Sequence, residues 1–111
     1  MKRAPHKKAE FQSRTEVSDG AGNYVSAWGP TQFTRWCGIH YLRGSESVMA
    51  SRLTGKRPVI LTVRSDEQTA SITPDMRCLI DGEAFNIREK PRPTEDRVWL
   101  EFLAESGVAD G

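Results

Sequence analysis

The feature that most constrains this chain is alternation. From Ala9, the residues Ala9, Phe11, Ser13, Thr15 and Val17 fall on one side, and Glu10, Gln12, Arg14 and Glu16 on the other. Only an extended strand sends successive side chains to opposite faces. The pattern returns in Phe33, Arg35, Cys37, Ile39 and Tyr41 against Thr34, Trp36, Gly38, His40 and Leu42, and in Val59, Leu61 and Val63 against Ile60, Thr62 and Arg64. Further runs lie at 76–80, at 83–89 with Phe85 and Ile87 against Ala84, Asn86 and Arg88, and at Val98, Leu100, Phe102 and Ala104. The expected core is Phe11, Val17, Ile39, Val59, Leu61, Val63, Leu79, Phe85, Ile87, Leu100 and Phe102.

The joints between these runs carry turn chemistry. Ser18-Asp19-Gly20-Ala21-Gly22-Asn23 is rich in residues that tolerate positive φ, and predicts a hairpin. The stretch 24–42 is extended but interrupted at Gly29-Pro30. Asp81-Gly82 between two β runs is the strongest short hairpin signal in the chain. One segment breaks the pattern. At 43–57, capping residues Ser45 or Ser47, helix formers after them and Gly55 as a stop fit a short helix or a loop with a helical turn. The fold class that follows is all-β: a small β-barrel or sandwich of about six strands with one short helical insertion. The expected organisation is a flexible basic arm at 1–8, one barrel domain over 9–105 with the insertion at 43–57, and a flexible tail at 106–111.

A length of 111 residues suits one domain with its own core, and a net charge of +1 gives no global case for a nucleic-acid binder. The charge is unevenly placed, however. Lys2, Arg3, Lys7 and Lys8 stand in the first eight residues without an acid. Arg43, Arg52, Lys56, Arg57 and Arg64 face only Glu46, while the C-terminal end is acidic. Separated poles allow copies to stack, or one sign of charge to line a channel. Residues 1–20 contain no apolar run and no stretch reaches the length of a membrane span, so the expectation is a protein folded in a cytoplasm with Cys37 and Cys78 reduced.

No constellation for catalysis or metal binding emerges. Cys37 and His40 stand three apart on a strand, which places them on opposite faces. A zinc site would need Cys78 and His6 as well, and His6 falls in the arm. Asp66, Glu67, Asp75 and Asp81 fall in turns, where acids serve the backbone. Gly20-Ala21-Gly22 joins strand to strand and is too short to cradle a phosphate. Trp28, Trp36 and Trp99 could form a stacking surface for single-stranded nucleic acid, but their place within alternating runs predicts that they fill the core instead. The expectation is a non-enzyme with no cofactor and no metal.

The order of motifs resembles one family. An N-terminal strand leads to Asp19-Gly20-x-Gly22-Asn23, then Trp28, then Phe33-Thr34-Arg35-Trp36. Gly44-Ser45-Glu46, the insertion and strand 59–64 follow, then Ile72-Thr73-Pro74-Asp75-Met76-Arg77, Asp81 through Ile87, and a closing strand. Over roughly 8–105 this is similar to the phage head–tail joining proteins, also called head-closure, stopper or head–tail adaptor proteins. The chain departs from them in its longer basic arm and in Cys37-Gly38.

The resemblance implies a homo-oligomeric ring, six-fold or twelve-fold, in the neck of the virion and assembled in the host cytoplasm. Its neighbours would be the portal or adaptor ring on the head side and the tail terminator or tail tube on the other. It would hold packaged double-stranded DNA through non-specific contact and would involve no membrane. Arg43, Ser45, Glu46, Arg52, Lys56 and Arg57 become candidates for the channel or ring interface, and Lys2, Arg3, Lys7 and Lys8 for an assembly arm. The alternatives are another neck ring, such as a tail terminator, and a small nucleic-acid-binding barrel.

Overall fold

The computed structural model describes residues 6–42 and 55–107. The alternating runs become strands β1 (Lys7–Ser18), β2 (Tyr24–Trp28), β3 (Phe33–Tyr41), β4 (Arg57–Arg64), β5 (Met76–Ile80), β6 (Glu83–Ile87), β7 (Arg92–Pro93) and β8 (Trp99–Ser106). All pairings are antiparallel. The order β1-β3-β4-β8-β6-β5 closes on itself because β5 returns to pair with β1. The result is a six-stranded barrel, with β2 attached to β1 and β7 to β8 outside the ring of strands. Closure matters physically because it removes the free edges that would otherwise recruit other strands.

Alternation fills the barrel as the sequence requires. Phe11, Val59, Leu61, Val63, Phe85, Ile87, Leu100 and Phe102 all point inward and are buried. Phe11 stacks on Phe33 at 4.9 Å between ring centroids and meets Phe102 at 6.3 Å. Ile39 packs against this cluster from a half-buried position. Two expected core residues are elsewhere. On β5 the inward set is Met76, Cys78 and Ile80, so Leu79 faces outward and is half-buried. Val17 is exposed, because it lies where β1 pairs with β2 alone, beyond the barrel. The core also takes Ala9, Cys37, Ala104 and Ile72.

One barrel end is closed by the loop before β5. Its 3-10 turn, Thr69–Ser71, is the only helical element among the described residues. Thr69 is fully buried there. The Asp66 N–H donates to Thr69 Oγ1 (2.8 Å), and the Thr69 N–H donates to Asp66 Oδ1 (2.9 Å). Thr69 Oγ1 in turn donates to the Arg64 carbonyl (2.8 Å). This reciprocal pairing satisfies backbone groups that no strand can reach and drops Ile72 into the core. At the other end, Asp81 (φ 53°) and Gly82 (φ 81°) join β5 to β6. Positive φ at both positions matches the twist of the two strands, and the Asp-Gly pair can adopt it.

Element boundaries depart from the sequence reading in three places. Lys7 and Lys8 are not part of an arm; they are the first residues of β1, opposite Cys37 and Trp36. The cause is the pairing edge of β3, which continues past Arg35 and gives these backbone groups partners. Ser106 is not in a tail; it closes β8, buried and opposite both Arg57 and Phe85. Arg57 opens β4 rather than ending an insertion. Lys2 and Arg3, the expected helix within 43–57, its residues Arg43, Ser45, Glu46 and Arg52, and positions 108–111 lie outside the described residues.

Candidate functional site

One feature among the described residues projects from the barrel. The first half of β1 is a barrel stave, pairing with β3 through Phe11 and with β5 through Ser13. From Arg14 to Ser18 it pairs only with β2, in the register Arg14↔Trp28, Thr15↔Ala27, Glu16↔Ser26, Val17↔Val25 and Ser18↔Tyr24. At about 3.3 Å per residue this two-stranded ribbon extends roughly 15 Å beyond the last barrel pairing. The molecule is accordingly long, at 53 × 36 × 22 Å. The tip is tied by Asp19, whose N–H donates to the Asn23 carbonyl (3.0 Å) and whose Oδ1 accepts from the Ala21 N–H (2.8 Å).

The ribbon is braced where it leaves the barrel. Trp28 meets two guanidinium groups, Arg14 at 4.4 Å and Arg77 at 4.6 Å from its ring centroid. Arg14 belongs to the ribbon and Arg77 to the barrel, and Arg77 Nε also donates to Gln12 Oε1 (2.9 Å). Burial lowers the pKa of Arg77 from its ordinary value, and the charge of Arg14 adds to the effect. The electron-rich indole attracts both cations and so offsets part of their mutual repulsion. Gly29 and Gln32 continue the hold, their N–H groups donating to the carbonyls of Ser13 (2.9 Å) and Phe11 (2.8 Å).

At the opposite end of the barrel, Leu42 and Gly55 bound the segment that lies outside the described residues. The Leu42 N–H donates to the Pro58 carbonyl (3.3 Å) at its base. Gly107, with φ of 81°, lies so close to this base that a Cβ there would stand 2.2 Å from the Gly55 carbonyl oxygen. Of the candidate channel residues, the structure places Lys56 half-buried at this root and Arg57 exposed beside it. Lys7 is at the same end, its Nζ 2.8 Å from Asp81 Oδ2, an exposed pair. That bond, and then the charge of Asp81, raise the Lys7 pKa.

The three tryptophans overturn the expectation that they fill the core. Trp36 is 59% exposed on the outer face of β3, Trp28 is in the brace, and Trp99 is half-buried beneath Arg64 at 5.9 Å. A barrel this narrow is already filled by four phenylalanines and the aliphatic residues. Parity decides the rest: Trp36 follows inward Arg35, Trp99 precedes inward Leu100, and Trp28 pairs with outward Arg14. Opposite faces are what the sequence predicts for Cys37 and His40, and they are found, Cys37 buried and His40 exposed. Burial pushes the Cys37 thiol up to about 12 and raises Cys78 as well. Both remain protonated and shielded, unlike nucleophilic cysteines. Among the described residues no three His, Cys, Asp or Glu side chains come together as metal ligands, and no helix is long and apolar enough to cross a membrane.

The described residues define a class of fold, a small closed antiparallel barrel with one projecting hairpin. Comparison gives the class its family. The phage head completion protein family matches residues 5–107, and the chain belongs to that family. It is thus a structural component of a phage particle. Two solved structures share the fold. The solution structure of protein SF1141 from Shigella flexneri 2a is 21% identical, with a TM-score of 0.67 and 96% of each chain covered. A chain of the virion of a native gene transfer agent particle is 19% identical, with a TM-score of 0.62, covering 95% of this chain and 98% of that one. No curated protein matches the sequence.

Proposed function

We propose that this chain forms a ring in the phage neck that joins the portal-bearing head to the tail and helps to retain packaged DNA. The observation that carries the reading is the family match, which spans residues 5–107 and so the whole barrel rather than a fragment of it. The ring's neighbours are the portal or adaptor ring above and the tail terminator or tail tube below. A six-fold or twelve-fold ring repeats each side chain once per subunit, so a few basic residues become a continuous positive band. Residues 43–57 supply Arg43, Arg52, Lys56 and Arg57 against one acid, and Lys56 and Arg57 are at a barrel end away from the hairpin. Facing the channel, such a band holds phosphates without reading sequence.

The test is Arg52→Glu together with Lys56→Glu in the phage, with the folded state of the purified variant checked first. Heads that fill and then leak DNA, or that fail to take tails, are expected. Normal yields of infectious, DNA-retaining particles would remove the insertion from both channel and joint. Deletion of the whole gene, complemented from a plasmid, tests the neck role itself: without complementation, heads and tails should accumulate unjoined.

A further inference from the structure

The brace at the hairpin root holds positive charge that the chain does not neutralise. Arg14 and Arg77 both stand within 4.6 Å of the Trp28 ring centroid. Carboxylates pair with Lys7, Arg35, Arg88 and Arg92. Among the described residues none pairs with Arg14 or Arg77. The acids nearby are held elsewhere or stand clear. Glu10 accepts from Thr31 Oγ1 (3.1 Å), and Asp75 accepts from Thr73 Oγ1. Glu16, two residues beyond Arg14 on the same face of β1, is exposed and opposite Ser26. The charge that acts on Arg77 is a like one, that of Arg14. Donors are also left over. A guanidinium has five N–H groups. Arg14 gives one to Ser26 Oγ (3.4 Å) and Arg77 gives one to Gln12 Oε1 (2.9 Å). Arg14 is exposed, while Arg77 and Trp28 are half-buried.

Two cations held together without an acid repel each other, and the indole offsets only part of that. An oxyanion removes the rest. Arginine side chains are long and turn readily, so one anion at the edge of the indole is within reach of both. The surroundings select its kind. Glu10, Glu16, Asp19 and Asp75 stand around the root and the ribbon. A DNA duplex carries a charge for about every 1.7 Å of its axis, and would set phosphates against these acids as well as against the arginines. A side-chain carboxylate brings a single charge, and its two oxygens match the fork of a guanidinium. Arginine beside a half-buried tryptophan is also the composition that concentrates binding energy where proteins meet.

We propose that Arg14 and Arg77, set on Trp28, receive one carboxylate from a neighbouring protein subunit of the particle; the proposal rests on the neck reading above. Arg14 belongs to the ribbon and Arg77 to the barrel wall, opposite Gln12. A carboxylate shared by both therefore fixes the hairpin to the barrel at the moment the neighbour is seated.

The experiment uses full-length chain in particles made from the genome that encodes it. Arg77→Lys keeps the charge and supplies an amine. Particles are treated with a water-soluble carbodiimide, which activates a touching carboxylate. The lysine Nζ then displaces the activating group, an amide forms, and the carbodiimide leaves as its urea, having taken up the water. Digestion and mass spectrometry identify the acid joined to position 77. The expected result is an Asp or Glu of another subunit, with a heavier band on a denaturing gel. Twice the subunit mass marks a second copy, and any other mass marks a different protein. A link only to Glu16 or Asp75 of the same chain, at monomer mass, overturns the proposal. Particles that contain the variant but give no link overturn it and leave the neck reading standing. Formaldehyde joining that lysine to DNA, with no carbodiimide link, assigns the pair to phosphate and also overturns it. Absence of the wild-type chain from particles removes the neck reading and the contact together. If Arg77→Lys fails to fold, Arg14→Lys on the exposed ribbon carries the same test. Once the acid is known, Arg77→Glu should lower infectious titre at least tenfold, and arginine in place of that acid should restore it; failure to restore overturns the proposal.

Discussion

The two halves of β1 carry one pattern and meet two environments. Between Lys7 and Ser13, inward Ala9 and Phe11 are fully buried, because β3 and β5 flank the strand and the barrel closes over it. Between Arg14 and Ser18 the same parity sets Thr15 and Val17 in solvent, because β2 is the sole neighbour. Alternation specifies which residues share a face. It does not specify whether anything stands opposite that face. The barrel half is thus stabilised by its own chain, and the hairpin half has its register and its anchor but lacks a cover among the described residues.

The largest effect that sharpens this contrast is in the barrel. Phe85→Ala should cost about 3–5 kcal/mol and Leu61→Ala about 2–5 kcal/mol, since each leaves a cavity in a filled interior. Urea unfolding measures both, and a loss below about 1 kcal/mol at either would break the inward register. Trp28→Ala removes the indole shared by Arg14 and Arg77 and should cost about 1–2 kcal/mol, from two cation–π contacts at roughly 0.5–1 kcal/mol each. Its signature is local: amide exchange should accelerate at 15–27 and stay slow in β4 and β8. Equal acceleration throughout would show that the hairpin is not a separate unit.

A smaller cost is expected at the Asp81-Gly82 turn. Gly82→Ala places a Cβ on a residue with φ of 81°, worth about 1 kcal/mol. Smaller again is the pH response of Asp66. The bond from Arg35 Nε (2.9 Å), followed by partial burial in opposition and the Thr69 N–H in support, holds its carboxyl below the ordinary 3.8. A carboxyl with a depressed folded pKa stabilises fully above its unfolded value, and that contribution is lost as pH falls through the lower folded one. Wild type should therefore lose more stability than Asp66→Asn below about pH 4, by a modest amount because water screens a partly exposed pair. Equal loss in both chains would show that Asp66 contributes nothing through its charge. Smallest of all, Val17→Ala should change the stability of the free subunit by less than about 0.5 kcal/mol. A cost comparable to that of Leu61→Ala would mean the hairpin face is already covered by its own chain.

Much of the fold is written locally. The period of two in each run determined the strands, the Gly-rich and Asp-Gly segments determined the hairpins, and together they dictated an all-β class. Asp66 and Asp75 in turns, and the opposite faces of Cys37 and His40, followed from the same short-range rules. What depended on distant chain was not legible. Lys7 and Lys8 are strand because β3 offers partners, and Ser106 is buried because β4 and β6 flank it. The tryptophans are outside because parity and barrel radius, not hydrophobicity, allot the interior. Alternation gives Val17 the face of the core residues and is silent about its surroundings. Pattern is a property of a strand and its two sides; burial is a property of how many strands close around them, and only the closed barrel with its overreaching hairpin decided that.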